Sequence, residues 1–258
     1  MNNKQPHLKI SAEDISPYVL LPGDPGRVEF IGNYLEEFKI IENNREYKIG
    51  VGYSKGRKIT VCSTGIGCPS TAIAVHELIN AGAKYLIRVG TCGGGWREDV
   101  ELGDLVIPTA SIRDEGTTQE YLPLGFPAVA DFDIVSALTE ASRSLNQKFN
   151  LGINRCHDSF YGSQEAIVRW GQYLKEEQWR EDETPILSSE MESAALFVIA
   201  SLKNVKAGAV LAVNAYPESL KSRIRGEKQK VVTEASSDLS KQVIGRMIEV
   251  ALLGLGNF

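Results

Sequence analysis

The sequence predicts an α/β layered fold built around a central, twisted mixed sheet flanked by helices. Short apolar segments of strand length alternate with segments whose apolar residues recur at helical spacing. Glycine-bearing turns follow several of the strand segments, as in sheets whose ligands bind at the carboxyl ends of strands. Because no repeat, low-complexity tract or linker interrupts the pattern, we expect residues 1–258 to form a single domain.

The chain begins its pattern with a strand, a turn and a helix. Residues 18–21 are mostly apolar and predict the first buried strand. The turn 22–27 follows, in which Asp24 is placed to cap a helix and Pro25 suits the first helical turn. Apolar residues from Val28 onward give this helix one buried side.

A hairpin and a second glycine turn come next. Segments 47–53 and 58–63 alternate apolar and polar residues, and Lys55-Gly56 between them predicts a hairpin turn. The turn 64–70 leads into a helix whose apolar residues run through 72–79.

Residues 85–89 predict a buried strand that carries one charge. Arg88 interrupts the apolar run, and burying an unpaired guanidinium is costly. A glycine-rich loop containing Thr91 follows at once. Bare amides, a hydroxyl and an arginine at the end of a strand make a plausible oxyanion site, although an arginine that reaches solvent and a simple turn would give the same pattern.

The second half continues the alternation. Segments 104–108, 110–113, 151–156 and 207–213 predict strands, and segments 132–145, 166–180, 191–202 and 231–253 predict helices. Residues 217–230 carry many charges and few apolar residues and predict a mobile loop.

Charge and composition exclude several classes of protein. A net charge of −5, from 28 basic and 33 acidic residues, argues against a general binder of nucleic acid or anionic membranes. The N-terminus lacks the apolar core of a signal peptide, and no apolar run is long enough to span a membrane. Four cysteines without CxxC spacing and three histidines argue against a zinc site. We therefore expect a cytoplasmic protein with reduced thiols.

Three arginines are candidates for binding an anion. Arg27 and Arg88 stand beside glycine turns, and Arg45 lies within Asn44-Arg45-Glu46-Tyr47. A guanidinium group offers paired, charge-assisted hydrogen bonds to a tetrahedral oxyanion. Each arginine taken singly is more typical of a surface or salt-bridge residue, but two beside glycine turns at strand ends favour an anion site.

Two further groups of residues are candidates for a sugar and a base. Glu192, beside Met191 and Glu190, could accept hydrogen bonds from the hydroxyls of a sugar, but acids in a first helical turn also stabilise the helix dipole, and spacing alone favours that second interpretation. Phe160 and Gln164 would offer an aromatic face and an amide to a planar heterocycle, and Phe160 could equally be a core residue.

Six motifs in order give the chain a family resemblance. They are Pro22-Gly23-Asp24-Pro25-Gly26-Arg27, Asn44-Arg45-Glu46-Tyr47, Ser63-Thr64-Gly65-Ile66-Gly67-Cys68-Pro69-Ser70, Arg88-Val89-Gly90-Thr91-Cys92-Gly93, Phe126-Pro127-Ala128-Val129-Ala130-Asp131-Phe132 and Glu190-Met191-Glu192-Ser193. Together they resemble the nucleoside phosphorylase family, specifically uridine phosphorylase and its hexameric purine relatives, over about residues 7–217.

The resemblance implies a fold, an assembly and a set of roles. It implies a single phosphorylase-like α/β domain, dimers as the minimal unit, and a hexamer built as a trimer of dimers. It implies small-molecule substrates, a nucleoside and inorganic phosphate as co-substrate, and no cofactor. The implied phosphate ligands are Gly23, Arg27, Arg88, Thr91 and, from the neighbouring subunit, Arg45. The implied ribose ligands are Met191, Glu192 and the neighbour's His7, and the implied base ligands are Phe160 and Gln164. A monovalent cation such as K⁺ at Glu46, Ile66 and Ser70 is a further implication.

Two departures from the family pattern bear on the base. Uridine phosphorylases follow the glutamine with glutamate and arginine, whereas this chain has Gln164-Glu165-Ala166. Purine-specific members carry an aspartate where this chain has Asn214, whose amide can bind a base but cannot supply a proton at pH 7. The sequence therefore favours a pyrimidine nucleoside. The alternatives are a purine nucleoside or methylthioadenosine phosphorylase that uses Asn214, and a nucleoside-binding protein without activity.

Overall fold

The predicted α/β fold with a central mixed sheet flanked by helices is confirmed. The structure, a computed structural model, describes residues 4–94, 96–97, 99–161, 169–170, 172–173, 184–216 and 233–258. Gln164 and Glu165 lie outside the described residues, as do the predicted loop 217–230 and most of the predicted helix 166–180.

The described residues form eleven strands and five α-helices. The strands are β1 Tyr18–Leu21, β2 Glu36–Asn44, β3 Tyr47–Ser54, β4 Arg57–Cys62, β5 Tyr85–Gly93, β6 Leu105–Asp114, β7 Ala128–Val129, β8 Phe149–His157, β9 Ile186–Glu190, β10 Lys206–Tyr216 and β11 Thr233–Glu234. The helices are α1 Pro25–Gly32, α2 Cys68–Asn80, α3 Phe132–Ser144, α4 Ser193–Leu202 and α5 Ser237–Leu255.

The strands pair in the order β11-β10-β6-β8-β9-β5-β1-β4-β3-β2, and β10 also pairs with β5. Strand β5 is parallel to both β1 and β10, whereas β9 joins β5 through one antiparallel pair, Gly93 with Ser189. The pairings of β5, β10, β6, β8 and β9 therefore close into a ring. The carboxyl end of β5 lies where this ring meets the open part of the sheet.

Alternating side chains of the same strands supply two hydrophobic clusters. On β5, Leu86 packs in a cluster with α2 and α4, whereas Ile87 and Val89 pack in a second cluster with α1, α3 and α5. This period of two is what a strand covered by helices on both faces requires. Each fully buried aliphatic side chain stabilises the fold by about 1.5–3 kcal/mol, so the two clusters stabilise β5 from both of its faces.

Several elements differ from the sequence expectation. The short strands β7 and β11 are not predicted, and the closing helix begins at Ser237 rather than at residue 231. Strand β2 is absent from the prediction because it is an exposed edge strand whose charges hide the alternation. Strand β6 is continuous, and a register shift between Pro108 and Ala110 accounts for the predicted break. Residues 188–190 are the end of β9 rather than the start of a helix, since α4 begins at Ser193. Among the described residues, no helix combines the length and hydropathy that a membrane span requires.

Candidate active site

Two glycine turns meet at the carboxyl ends of β1 and β4. The N–H of Thr64 donates to the carbonyl of Pro22 at 2.9 Å, and the N–H of Gly65 donates to the carbonyl of Gly23 at 3.0 Å. In the described part of the chain, the N–H of Gly23 has no hydrogen-bond partner. The joined turns therefore present a free amide beside the end of β5.

Arg88 lies beside this amide, and Arg27 lies close to Arg88. The Nη1 of Arg88 is buried without a hydrogen-bond partner, and it would lie 3.9 Å from a Cβ placed on Gly23. Burial and, next, the charge of Arg88 lower the pKa of Arg27, so the two guanidinium groups are close enough to repel each other. Within the described ranges, no hydrogen bond or ion pair joins the Arg27 guanidinium to another group, although the charges of Asp24 and Glu192 oppose the lowering of its pKa. Free donors of like charge around one space form a site for an anion.

Arg113 is a buried arginine whose hydrogen bonds serve the fold alone. Arg113 is 8% exposed, and its guanidinium donates five hydrogen bonds to the segment that follows β6. Four of these bonds go to backbone carbonyls, at 2.6–2.7 Å. By contrast, Nη1 of Arg88 has no hydrogen-bond partner, and none joins the Arg27 guanidinium within the described residues.

Two buried carboxylates orient Arg88. Its Nε lies 2.7 Å from Oε2 of Glu190, and its Nη2 forms an ion pair with Oε2 of Glu192. All three residues are 4–5% exposed. Burial alone would lower the pKa of Arg88, but the charges of Glu192 and Glu190 raise it overall.

Glu190 is held at the end of β9 by donors from three directions. Its carboxylate accepts from Nδ2 of Asn154 at 2.9 Å, from the N–H of Glu192 at 2.9 Å and from the N–H of Ser193 at 3.0 Å. Burial raises the pKa of Glu190, but Arg88 and these hydrogen bonds outweigh it, so the pKa lies below its ordinary value. Glu190 is therefore a fixed anion that sets the position of Arg88.

Glu192 has one oxygen for Arg88 and one for the second glycine turn. Its Oε1 accepts from the N–H of Gly67 at 2.6 Å. Gly67 has φ 93°, a conformation that disfavours residues with a Cβ. Burial and the neighbouring charge of Glu190 raise the pKa of Glu192 although Arg88 opposes the shift. A carboxylate aimed in this way can accept hydrogen bonds from the hydroxyls of a sugar.

The remaining predicted phosphate and ribose ligands lie at the same end of the sheet or at the surface. Thr91 is half-buried and follows Arg88 by three residues. Met191 is half-buried and directly precedes Glu192. Arg45 is exposed at the tip of the β2–β3 hairpin with φ 57° and no ion-pair partner in the described part of the chain. His7 is half-buried and packs on α2.

The predicted base ligands are described in part. Phe160 is 68% exposed and lies edge-on to Tyr161, with ring centroids 5.2 Å apart. Asn214 is the extra residue of a bulge in β10, because Val213 pairs with Cys92 while Ala215 pairs with Gly93. A bulge re-aims a side chain at the end of a strand, as binding sites often require.

The three predicted cation ligands lie beside Gly65. A Cβ on Gly65, which has φ 73°, would lie 2.7 Å from Cγ of Glu46 and 3.1 Å from Oγ of Ser70. The Oγ of Ser70 in turn donates to the carbonyl of Ile66 at 3.2 Å. The Glu46 side chain, the Ser70 hydroxyl and the Ile66 carbonyl thus lie around one glycine, and carboxylate, carbonyl and hydroxyl oxygens are ligands that suit a hard cation.

A separate group could hold a metal ion of another kind. The Sγ of Cys68 and one carboxylate oxygen each of Glu115 and Asp158 lie within 4.8 Å of one another. Backbone N–H groups of Thr118 and Gly116 already donate to the two carboxylates. All four cysteines are free and buried.

Glu190 and Gly67 stand within the sequence motifs, but the sequence gives them no role in the site, and it gives Asn154 none either. The spacing predicts Glu190 at the start of a helix, and Asn154 lies in the middle of a predicted strand. The available signal was Gly67 in the 64–70 turn. It stands directly before the helix that begins at Cys68, and a glycine there is typical of a backbone conformation that a side chain would disfavour.

The chain is similar to a known protein family and to individual members of it. A family model described as the phosphorylase superfamily matches residues 17–249. The chain is 44% identical over 216 residues to uridine phosphorylase of Treponema pallidum, covering 80% of each chain. It is 37% identical over 211 residues to guanosine phosphorylase of Halorubrum lacusprofundi, covering 82% of this chain and 83% of that one.

Solved structures give the same result for the fold. Uridine phosphorylase from Vibrio fischeri superposes with a TM-score of 0.81 at 31% identity, covering 99% of this chain and 98% of that one. Purine nucleoside phosphorylase from Toxoplasma gondii, in complex with immucillin-H, superposes with a TM-score of 0.84 at 29% identity, covering 100% and 96%.

Proposed function

The chain belongs to the phosphorylase superfamily, and from that premise we propose that its substrate is a pyrimidine nucleoside of the uridine type. The enzyme is a nucleoside phosphorylase, a pentosyltransferase that cleaves the N-glycosidic bond with inorganic phosphate as co-substrate. The products are free base and ribose 1-phosphate. The observation that carries the proposed site is the buried Nη1 of Arg88, which lies beside Gly23 without a hydrogen-bond partner, together with the nearby guanidinium group of Arg27.

In the proposed mechanism, phosphate binds between Arg27, Arg88 and the N–H of Gly23, with Thr91 as a hydroxyl donor. The bond from C1′ to the base lengthens first, and positive charge grows on the sugar as in glycoside cleavage. An oriented phosphate oxygen beneath C1′ stabilises that charge and then forms the new bond to C1′. The electron pair of the broken bond leaves with the base, which is protonated on release.

Glu192 and Met191 hold the ribose in this proposal. The Glu192 carboxylate shares Arg88 with the phosphate site, because Nη2 pairs with its Oε2. The arginine therefore lies between the two substrates, where it can orient both the anion and the carboxylate that accepts the sugar hydroxyls.

Phe160, Gln164 and Asn214 are the proposed base ligands. The Asn214 amide supports a pyrimidine because it cannot protonate a purine ring nitrogen at pH 7. A second candidate substrate is a purine nucleoside or methylthioadenosine, with Asn214 as hydrogen-bond donor. Two observations support this second candidate. Asn214 lies on the β10 bulge, and one relative is named guanosine phosphorylase.

We propose that the chain works as a homo-oligomer, a dimer at minimum and a hexamer when complete. Arg45, with its free guanidinium at a hairpin tip, and His7 would serve the site of the neighbouring subunit. Exposed Ile66 and Ile73, at 79% and 37% exposure, would be covered in such a dimer. A monovalent cation such as K⁺ at Glu46 would belong to the same interface. One domain over residues 1–258 and a cytoplasmic location stay predictions of the sequence.

A substrate panel tests the proposal. Uridine, thymidine, inosine, guanosine and adenosine are incubated with the enzyme with and without phosphate, and base and ribose 1-phosphate are quantified. We expect uridine to give the highest kcat/KM and no turnover without phosphate. Preference for a purine nucleoside would favour the second candidate. Tight binding without ribose 1-phosphate would indicate a binding protein and contradict the proposal.

A further inference from the structure

Asn154 is a fully buried amide on β8, and three strands meet around it. It is paired with Ser111 of β6 on one side and with Ser188 of β9 on the other, so the three side chains leave the same face of the sheet. Its Oδ1 accepts from Oγ of Ser188 at 2.9 Å. Its Nδ2 donates to Oε1 of Glu190 at 2.9 Å and to Oγ of Ser193 at 3.1 Å. The amide therefore has a partner for each of its polar atoms and is held in one orientation.

The ionised Glu190 determines the direction of each hydrogen bond in this network. An ionised carboxylate only accepts, so Nδ2 of Asn154 and Oγ of Ser193 both donate to it. The Ser193 hydroxyl has a single hydrogen, so it accepts from Asn154 and from Oγ of Ser111, which lies 2.7 Å away. Buried polar groups from β6, β8 and α4 thus direct their donors towards one carboxylate.

Arg88 is held by two carboxylates, and only one of them belongs to this network. Its Nε pairs with Glu190 and its Nη2 with Glu192, while Nη1 has no partner in the described part of the chain. Glu192 has a separate support, because its Oε1 accepts from the N–H of Gly67. If Glu190 moves, the guanidinium can still rotate about its contact with Glu192. Such a rotation displaces Nη1, the donor beside Gly23, and leaves Glu192 in place.

We propose that Asn154 is a positioning residue for phosphate: it fixes Glu190, and through Glu190 it directs Nη1 of Arg88 at the anion. This inference rests on the proposed function, in which Arg88 binds phosphate. Asn154 is 0% exposed, so it acts on the phosphate only through these two side chains. A small displacement of a group that orients a substrate is costly for catalysis. The network should therefore affect the use of phosphate more than the use of the nucleoside.

Asn154→Asp tests the proposal, because it keeps the shape of the side chain but turns an acceptor of like charge towards Glu190. Uridine phosphorolysis is measured with phosphate varied at saturating uridine, and with uridine varied at saturating phosphate. We expect KM for phosphate to rise by roughly tenfold or more and KM for uridine to change by less than about twofold. Asn150→Asp is the matched control on the same strand. It removes a similar hydrogen bond, from Nδ2 of Asn150 to Asp104 at 3.1 Å, at the far end of β8, and should leave both KM values unchanged.

A milder variant covers the case in which Asn154→Asp does not fold. Ser111→Ala removes only the outer donor of the network, and it should raise KM for phosphate by about two- to tenfold, again with little change for uridine. A network that only supports packing would change both KM values equally, or neither of them in the folded variants, and either result would overturn this inference alone. If a purine nucleoside is preferred, it replaces uridine in the assay. Absence of turnover with every nucleoside in the wild type would overturn the proposed function and this inference with it.

Discussion

Gly90→Ala tests whether the position of Arg88 controls phosphate use. The guanidinium of Arg88 passes directly over Gly90, and a Cβ placed there would lie 2.7 Å from both Cζ and Nη2 of Arg88. The φ of Gly90 is not in the left-handed region, so alanine meets no backbone strain at this position. The substitution therefore acts through the arginine.

The expected effect follows from that distance. Ordinary van der Waals contact begins near 3.4 Å, so the guanidinium must retreat by roughly 0.7 Å or leave its carboxylates. A displacement of about 1 Å in a positioning group lowers catalysis by about 10²-fold, or about 2.7 kcal/mol. Crowding a packed interior should also lower the free energy of unfolding by about 1–3 kcal/mol.

The assay is the phosphate dependence of uridine phosphorolysis, with thermal unfolding measured in parallel. Gly208→Ala is the matched control, because its Cβ would lie 2.4 Å from Cγ2 of Ile134 and would crowd the core without touching Arg88. We expect a loss in kcat/KM for phosphate with Gly90→Ala that Gly208→Ala does not share at equal loss of stability. A folded Gly90→Ala enzyme with wild-type kcat/KM for phosphate would refute the reasoning.

Three further predictions concern the same site. The pKa of Glu190 is held below its ordinary 4.5, so the contribution of its ionised carboxylate to stability is complete above pH 4.5 and is lost as the pH falls through the lower folded pKa. Glu190→Gln should therefore lower the free energy of unfolding by about 3 kcal/mol at pH 7. Denaturant titrations of both proteins at pH 7 and pH 4 should show a smaller difference in unfolding free energy in acid, and a constant difference would contradict the ion pair. Burial raises the pKa of the Cys92 thiol to about 12, and all four cysteines are buried. A thiol reagent at pH 8 should therefore label none of them in the native enzyme and all four after unfolding. Rapid labelling of the native enzyme would be inconsistent with this packing. Asn214→Asp supplies a proton donor, so kcat for inosine should rise by about 10²-fold relative to uridine, and an unchanged ratio in the substrate panel would remove Asn214 from the base site.

The sequence predicts well the elements whose patterns are local. The Tyr18–Leu21 strand, the Asp24 cap and the α2 helix follow from apolar period and turn chemistry, and the structure contains each of them. Periodicity depends only on which side of an element is buried. It does not depend on which strand lies beside another.

The site depends on contacts between distant parts of the chain, which local patterns do not determine. Glu190 resembles an acid in a first helical turn, and its role as the partner of Arg88 appears only when β9 meets β5 at Gly93 and Ser189. His7 gives no signal from its neighbours in sequence. Its partner Glu77 lies 70 positions away, and only the packing of the N-terminal segment on α2 brings the two together.

The most direct test of the central claim is the titration of the enzyme with inorganic phosphate by isothermal calorimetry. If Arg27 and Arg88 together bind the anion, Arg27→Ala should lower phosphate affinity by about 10- to 100-fold, while Arg143→Ala, which removes the same charge from the exposed side of α3, should leave it unchanged. Equal phosphate affinity in the wild type and in folded Arg27→Ala would contradict the proposed phosphate site.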